Sequence, residues 1–304
     1  MRILAVLLKI FLLIFSFQTF AEDSCTDISI STENMPKNNN QNEHNWCVFW
    51  TGADLFSYYE KTPLSSYDLA LQYFNNDIVR TEEISDYSDN GANMSAALIL
   101  GLQGKGLCLE SQINFTDSDW SELSILFKKI SSPTKKLSQI ICQNNLKDTI
   151  PFKSIPKNIL KILDKLSGDK KTAALLDITC GKRFQLGKYG VGSRTIEQYP
   201  PEKIVEKLDF LLSKNNPASI SYDWDFIKSN KDYTKKESNH SSTIIGRRFN
   251  KDINECEYKI KDSAGNRCPK NSIYECDKMH GTIWVPRNNL INNIYEVNWL
   301  VRAI

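Results

Sequence analysis

Residues 41–59 read QNEHNWCVFWTGADLFSYY. A polar approach, Gln41 to Asn45, runs into a stretch dense in large apolar side chains and free of proline. Phe49, Ala53 and Phe56 recur at helical spacing, with Val48 and Leu55 near the same face, which predicts a mostly buried helix beginning near Cys47. Gly52 lowers helix propensity and points to close packing. A cysteine at a helix start faces backbone N–H groups and a partial positive charge, both of which favour the reactive thiolate. A cysteine in this position also serves as ordinary core, or as half of a disulfide.

Around this segment the chain leans helical on one side and extended on the other. Met94–Leu102 fits a helix, followed by a turn over 103–106 and Leu107-Cys108-Leu109. Further helices are expected over 121–130, 154–168 and 201–212, the last with Ile204, Leu208, Leu211 and Leu212 on one side. Thr172–Thr179 reads as a strand. Ala218–Tyr222, Thr243–Arg247, Glu257–Lys261, Thr282–Val285 and Tyr295–Trp299 read as short strands between polar loops. Helices first and strands later predict an α+β protein of two packed lobes.

Residues 1–21 combine an early Arg2, an apolar run from Ile10 to Phe17 and a small residue at Ala21, the pattern of a secretory signal peptide. Residues 22–40 follow as a short polar leader. The 304-residue chain carries 38 Lys plus Arg and 36 Asp plus Glu. Arg2 and Lys9 account for the small excess, so the remainder is neutral and carries no nucleic-acid footprint. Eight cysteines in an exported protein are free to pair. The crowding of Cys256, Cys268 and Cys276 predicts a local disulfide whose connectivity stays open. The three His residues, His44, His240 and His280, keep no tight spacing with cysteines, which argues against structural zinc.

Three segments together resemble the papain-like cysteine peptidase family. Gln41 stands six residues before Cys47, as the family's oxyanion-hole glutamine stands before its nucleophile. Asn239-His240-Ser241-Ser242-Thr243-Ile244-Ile245-Gly246 is similar to the family's histidine followed by small and β-branched residues. Tyr258-Lys259-Ile260-Lys261-Asp262-Ser263-Ala264-Gly265 resembles its Ile-Lys-Asn-Ser-Trp-Gly stretch, with Asp262 at the Asn position. Gly106-Leu107-Cys108-Leu109-Glu110 is similar to a turn that follows a helix in many members. Taken singly, His240 is a strand histidine, Asp262 a loop acid and Gln41 a solvated polar residue.

The resemblance covers most of 41–112 and 216–304. It implies a two-lobe fold over 41–304, helical first and barrel-like later, with an insertion near 115–200. It implies a cysteine peptidase acting through an acyl-enzyme, and the signal-peptide pattern of residues 1–21 adds the expectation that it is secreted or periplasmic. In that reading Cys47 is the nucleophile, His240 the base, Asp262 the group that orients His240, and Gln41 with the Cys47 N–H the oxyanion donors. A polypeptide substrate would lie in an interlobe cleft, a protein inhibitor is a possible partner, and neither cofactor nor metal is implied. Departures are plain: His44 stands where a disulfide cysteine is common, Trp46 and Val48 flank Cys47, and Ala264 replaces a tryptophan that shields the histidine contact. Two other expectations stay open beside the peptidase: a catalytically inactive binding or scaffold protein, and a Cys-His amidase or transpeptidase acting on cell-wall peptides.

Overall fold

The computed structural model describes residues 25–37, 47–74, 92–112, 177, 180–227, 239–263, 268, 274–277 and 281–302. After the two-residue strand β1 (Ile28–Ser29) come three helices: α1 (Cys47–Glu60), α2 (Ser66–Phe74) and α3 (Met94–Gln103). Every residue of α1 from Cys47 to Ser57 is buried, as expected of a helix that is apolar on nearly all sides. Gly52 and Gly101 permit the close approach of the three helices. A Cβ on Gly52 would stand 2.8 Å from Leu69 Cδ2, and one on Gly101 2.8 Å from Phe56 Cε2. Helix α3 starts at Asn93, whose side chain accepts from the Ala96 N–H, satisfying one of the donors a helix start leaves open.

Next come β2 (Leu107–Cys108), β3 (Arg183–Phe184), β4 (Tyr189–Thr195) and α4 (Pro201–Ser213). Gly106, at φ +83°, makes the turn into β2; positive φ is readily open only to glycine. The remaining strands are β5 (Ala218–Asp223), β6 (Asn239–Asn250), β7 (Glu255–Lys261), β8 (Cys276–Asp277), β9 (Thr282–Pro286) and β10 (Ile294–Arg302), with α5 (Arg287–Asn293) between the last two. Strands of the large sheet run in the order β4-β10-β5-β6-β7-β9-β8, and β1 (Ile28–Ser29) pairs with β6 off that path. The sheet is open at β4 and β8, so the expected barrel-like lobe is corrected to an open antiparallel sheet.

The strands expected from Ala218 onward are all present, each extended by a residue or more. The expected helices 121–130 and 154–168 lie outside the described residues; of the strand expected over Thr172–Thr179 only Asp177 is described, in helical conformation. Sequence periodicity missed α2, α5 and β4. In β4, glycines at 190 and 192 hide the strand pattern, yet Gly192 is needed there: a Cβ would run into the Trp299 indole on neighbouring β10.

Two disulfides tie distant parts of the chain: Cys25–Cys256 holds the segment carrying β1 to β7, and Cys108–Cys180 joins β2 to the approach to β3. A third, Cys268–Cys276, is the expected local bridge. Cys142 lies outside the described residues. No helix among the described residues is long and apolar enough to cross a membrane.

Register gives the sheet two unlike faces. Ile220, Tyr222, Ile244 and Ile260 share one face and pack with Ile204, Val205, Leu208 and Leu290 of α4 and α5. The alternate residues Ser219, Ser221, Ser241, Thr243, Lys261 and Asn298 form the other, polar face. Helix α1 lies on this polar side, where Asp54 receives both Lys261 Nζ (2.8 and 2.9 Å) and Thr243 Oγ1 (3.1 Å). All three residues are buried. Removing one partner of a buried ion pair strands the other charge. Asp54→Ala should therefore cost about 3–5 kcal/mol in urea unfolding, while Asp54→Leu combined with Lys261→Met should regain most of that loss.

Candidate active site

Three elements converge at one point. Cys47 is the first described residue of α1, His240 the second residue of β6, and Asp262 follows the end of β7. Thr243 pairs with Lys261, so Asp262 falls opposite Ser242 and on the His240 side of the hairpin. His240 Nε2 lies 2.7 Å from Asp262 Oδ1. The ring also hydrogen-bonds Cys47, which leaves Nδ1 as the atom facing the sulfur. Cys47 is the free cysteine among the described residues. Sequence reasoning named Cys47, His240 and Asp262, and the fold brings them together. Gln41, His44, Ala264 and His280 lie outside the described residues.

Burial is the largest influence on the Cys47 thiol and pushes its pKa up. The charge and hydrogen bond of His240 and the backbone hydrogen bond of Ser241 outweigh it, so the thiol ends below its ordinary value of 9.0. Burial likewise lowers His240, but the charges of Asp262 and Cys47 and hydrogen bonds to both raise it to about 10. Both shifts favour the charged forms, a thiolate beside an imidazolium. With both ring nitrogens protonated, Nε2–H donates to Asp262 and Nδ1–H to the sulfur. Such a pair supplies a nucleophile and a proton donor at once.

Residues that short motifs did not reveal complete the surroundings. Trp224, in the 3-10 turn Trp224–Ile227 after β5, lies with its ring 4.3 Å from the imidazole, centroid to centroid. Tyr222 meets the same ring edge-on at 5.5 Å. The residue pairing Tyr222 with His240 across β5 and β6 could have pointed to the second contact; nothing local to Trp224 announces the first. Among the described residues Asp262 Oδ2 is buried without a hydrogen-bond partner.

A second grouping of thiol and carboxylate donors bears on the expected activity. Ligand atoms of Asp68, Cys108 and Cys180 lie within 4.8 Å of one another. The group holds no histidine, and Cys108 is joined to Cys180. Asp68 is engaged by Arg183 and by the Cys108 N–H. The Cys108 turn, which carried part of the family resemblance, is thus a cross-link with no thiolate to offer. Reactive-thiol chemistry among the described residues is confined to Cys47, itself only 6% exposed. The expectation of a secreted cysteine peptidase, a thiol protease hydrolysing peptide bonds, is corrected accordingly and is not retained as the reading of this chain.

No protein-family model matches the sequence, and no curated protein does. Solved structures do match. The proform of the Amb a 11 cysteine protease, a ragweed pollen allergen, superposes with a TM-score of 0.50 at 10% identity, over 91% of this chain and 66% of that one. Xylellain, a cysteine protease from Xylella fastidiosa, gives 0.49 at 12% identity over 91% and 86%. PepW from Lactobacillus rhamnosis gives 0.49 at 11% identity over 92% and 83%. At such identities the likeness is one of fold. With its helices first, its antiparallel sheet later and this Cys–His–acid meeting point between them, the chain is a divergent example of the papain-like fold.

Proposed function

We propose that Cys47, His240 and Asp262 form a Cys–His acyl-transfer site of the amidase or transpeptidase kind, acting on peptides of cell-wall type. The single observation that carries this reading is the paired thiol and imidazole, backed by a buried carboxylate at 2.7 Å. The Cys47 thiolate attacks an amide carbonyl carbon. His240 gives its proton to the departing nitrogen as the C–N bond breaks, leaving a thioester. Water or a second amine then attacks the thioester, passes a proton to His240 and releases the thiolate. The Cys47 N–H would steady the oxyanion, with Gln41 proposed as the second donor.

Further parts of the reading are proposals of the same kind. Residues 1–21 would direct export to the periplasm or beyond. Substrate would lie in a cleft between the helical part and the sheet, where a protein inhibitor could also bind. Cys47 and His240 are only 6% and 8% exposed, and Trp224 covers the ring. That burial favours a second reading, a catalytically silent binding or scaffold protein.

Two measurements decide between them. Cell-wall peptide fragments incubated with the intact chain and with Cys47→Ala should show amide cleavage, or exchange onto an added amine, only with the former, read by mass spectrometry. If neither chain alters the peptides, the silent binding protein is the better reading. Separately, the rate of Cys47 alkylation by iodoacetamide should rise at a pH below the ordinary thiol value of 9.0, because the thiolate forms early beside imidazolium. Loss of the His240 proton near pH 10 should alter the rate again. In His240→Ala the rise should move up toward the ordinary thiol range, since burial is then opposed by the Ser241 backbone hydrogen bond but no longer by the imidazole.

A further inference from the structure

We infer that Tyr222 and Ser242 are positioning residues, a buried pair of hydroxyls that locks the Asp262 carboxylate against His240. The inference rests on the acyl-transfer reading of Cys47, His240 and Asp262. Register puts all four polar side chains on one face: Tyr222 pairs with His240, His240 and Ser242 alternate along β6, and Asp262 falls opposite Ser242. Tyr222 and Ser242 are fully buried, and Asp262 is 2% exposed. Solvent therefore does not stand in for these contacts.

The hydrogen bonds have a forced direction. Ser242 Oγ lies 3.2 Å from Asp262 Oδ1 and 2.9 Å from the Tyr222 hydroxyl. An ionised carboxylate can only accept, so the one Ser242 proton goes to Asp262. The Tyr222 O–H must then donate to Ser242. Burial, the largest influence, keeps the Tyr222 proton on its oxygen, with its pKa well above the ordinary value. The chain is a fixed line of donors ending on Oδ1, the atom that also receives His240 Nε2–H.

The geometry explains why such a line is needed. Asp262 Oδ2 has no hydrogen-bond partner among the described residues. Held by His240 alone, the carboxylate could pivot about its Cβ–Cγ bond and loosen the imidazole. Ser242 blocks that pivot by a second bond to the same oxygen. Tyr222 acts twice, through its hydroxyl and through the ring edge that meets the imidazole at 5.5 Å. Among the described residues, the ionisable groups facing His240 are Cys47 from α1, Asp262 from the end of β7 and Tyr222 from β5. A looser carboxylate weakens the imidazolium, and a weaker imidazolium raises the pH at which Cys47 becomes thiolate.

The test is the pH profile of Cys47 alkylation by iodoacetamide in the full-length chain. Ser242→Ala should move the acid limb up by about one pH unit, and Ser242→Thr, which keeps a hydroxyl, should restore it. Tyr222→Phe keeps the ring and should move the limb the same way by less. A merely structural role would lower thermal stability while leaving the limb of the folded protein in place. An unmoved limb in Ser242→Ala overturns the inference. If that variant does not fold, an unmoved limb in folded Tyr222→Phe overturns it instead. A wild-type profile like that of an ordinary thiol sinks the acyl-transfer reading itself, whereas a low wild-type limb that the hydroxyl variants leave in place sinks only the positioning pair.

Discussion

The buried ion pair between Asp54 and Lys261 joins the two halves of this molecule. Asp54 lies seven residues along α1 from Cys47, about two helical turns, and so on nearly the same side. Lys261 immediately precedes Asp262, and Thr243, which also bonds Asp54, lies three residues after His240. Each of the three elements that supply a site residue thus also supplies one end of this clamp. Apolar packing alone would let α1 slide on a sheet face made of serines, threonine and asparagine. A charged pair with directional hydrogen bonds fixes the helix in one place, at the expense of desolvating both charges.

Burial has opposite meanings at the two polar centres. At the clamp it raises Asp54 from its ordinary range, with Lys261 pulling the other way. At the site burial pushes Cys47 up and His240 down, yet both finish shifted in the opposite sense because each stabilises the charge of the other and Asp262 stands behind the imidazole. The chemistry therefore depends on distances set by the sheet register and by the clamp. Cys108 shows the contrast: buried like Cys47, it lacks an imidazole partner and spends its sulfur in a disulfide. Cysteine by itself does not define function in this chain, and its neighbours do.

Much of the architecture was legible in residue patterns. The apolar run after Cys47, the stripe of α4 and the alternating segments from Ala218 to Trp299 announce their elements because burial imposes a period on the sequence. Cys47, His240 and Asp262 were singled out by the resemblance of short segments to the papain-like family, although each had an ordinary reading as well. Other elements were hidden. Strand β4 carries glycines where its neighbour Trp299 needs room, and Trp224 covers His240 from a short turn with no periodic signal.

By itself, the sequence determined the order of the main helices and strands and singled out a cysteine at a helix start, a histidine opening a strand and an acid after another strand. Those are local matters, decided by propensity, periodicity and neighbouring residues. Only the tertiary structure decided that the sheet stays open and that Cys108 pairs with Cys180. It alone decided that Tyr222, His240, Ser242 and Asp262 share one face while Asp54 and Lys261 close the other. These are contacts between residues tens to hundreds of positions apart. Strand register and chain crossings create them, and a slip of one residue in register would turn each of these side chains to the other face.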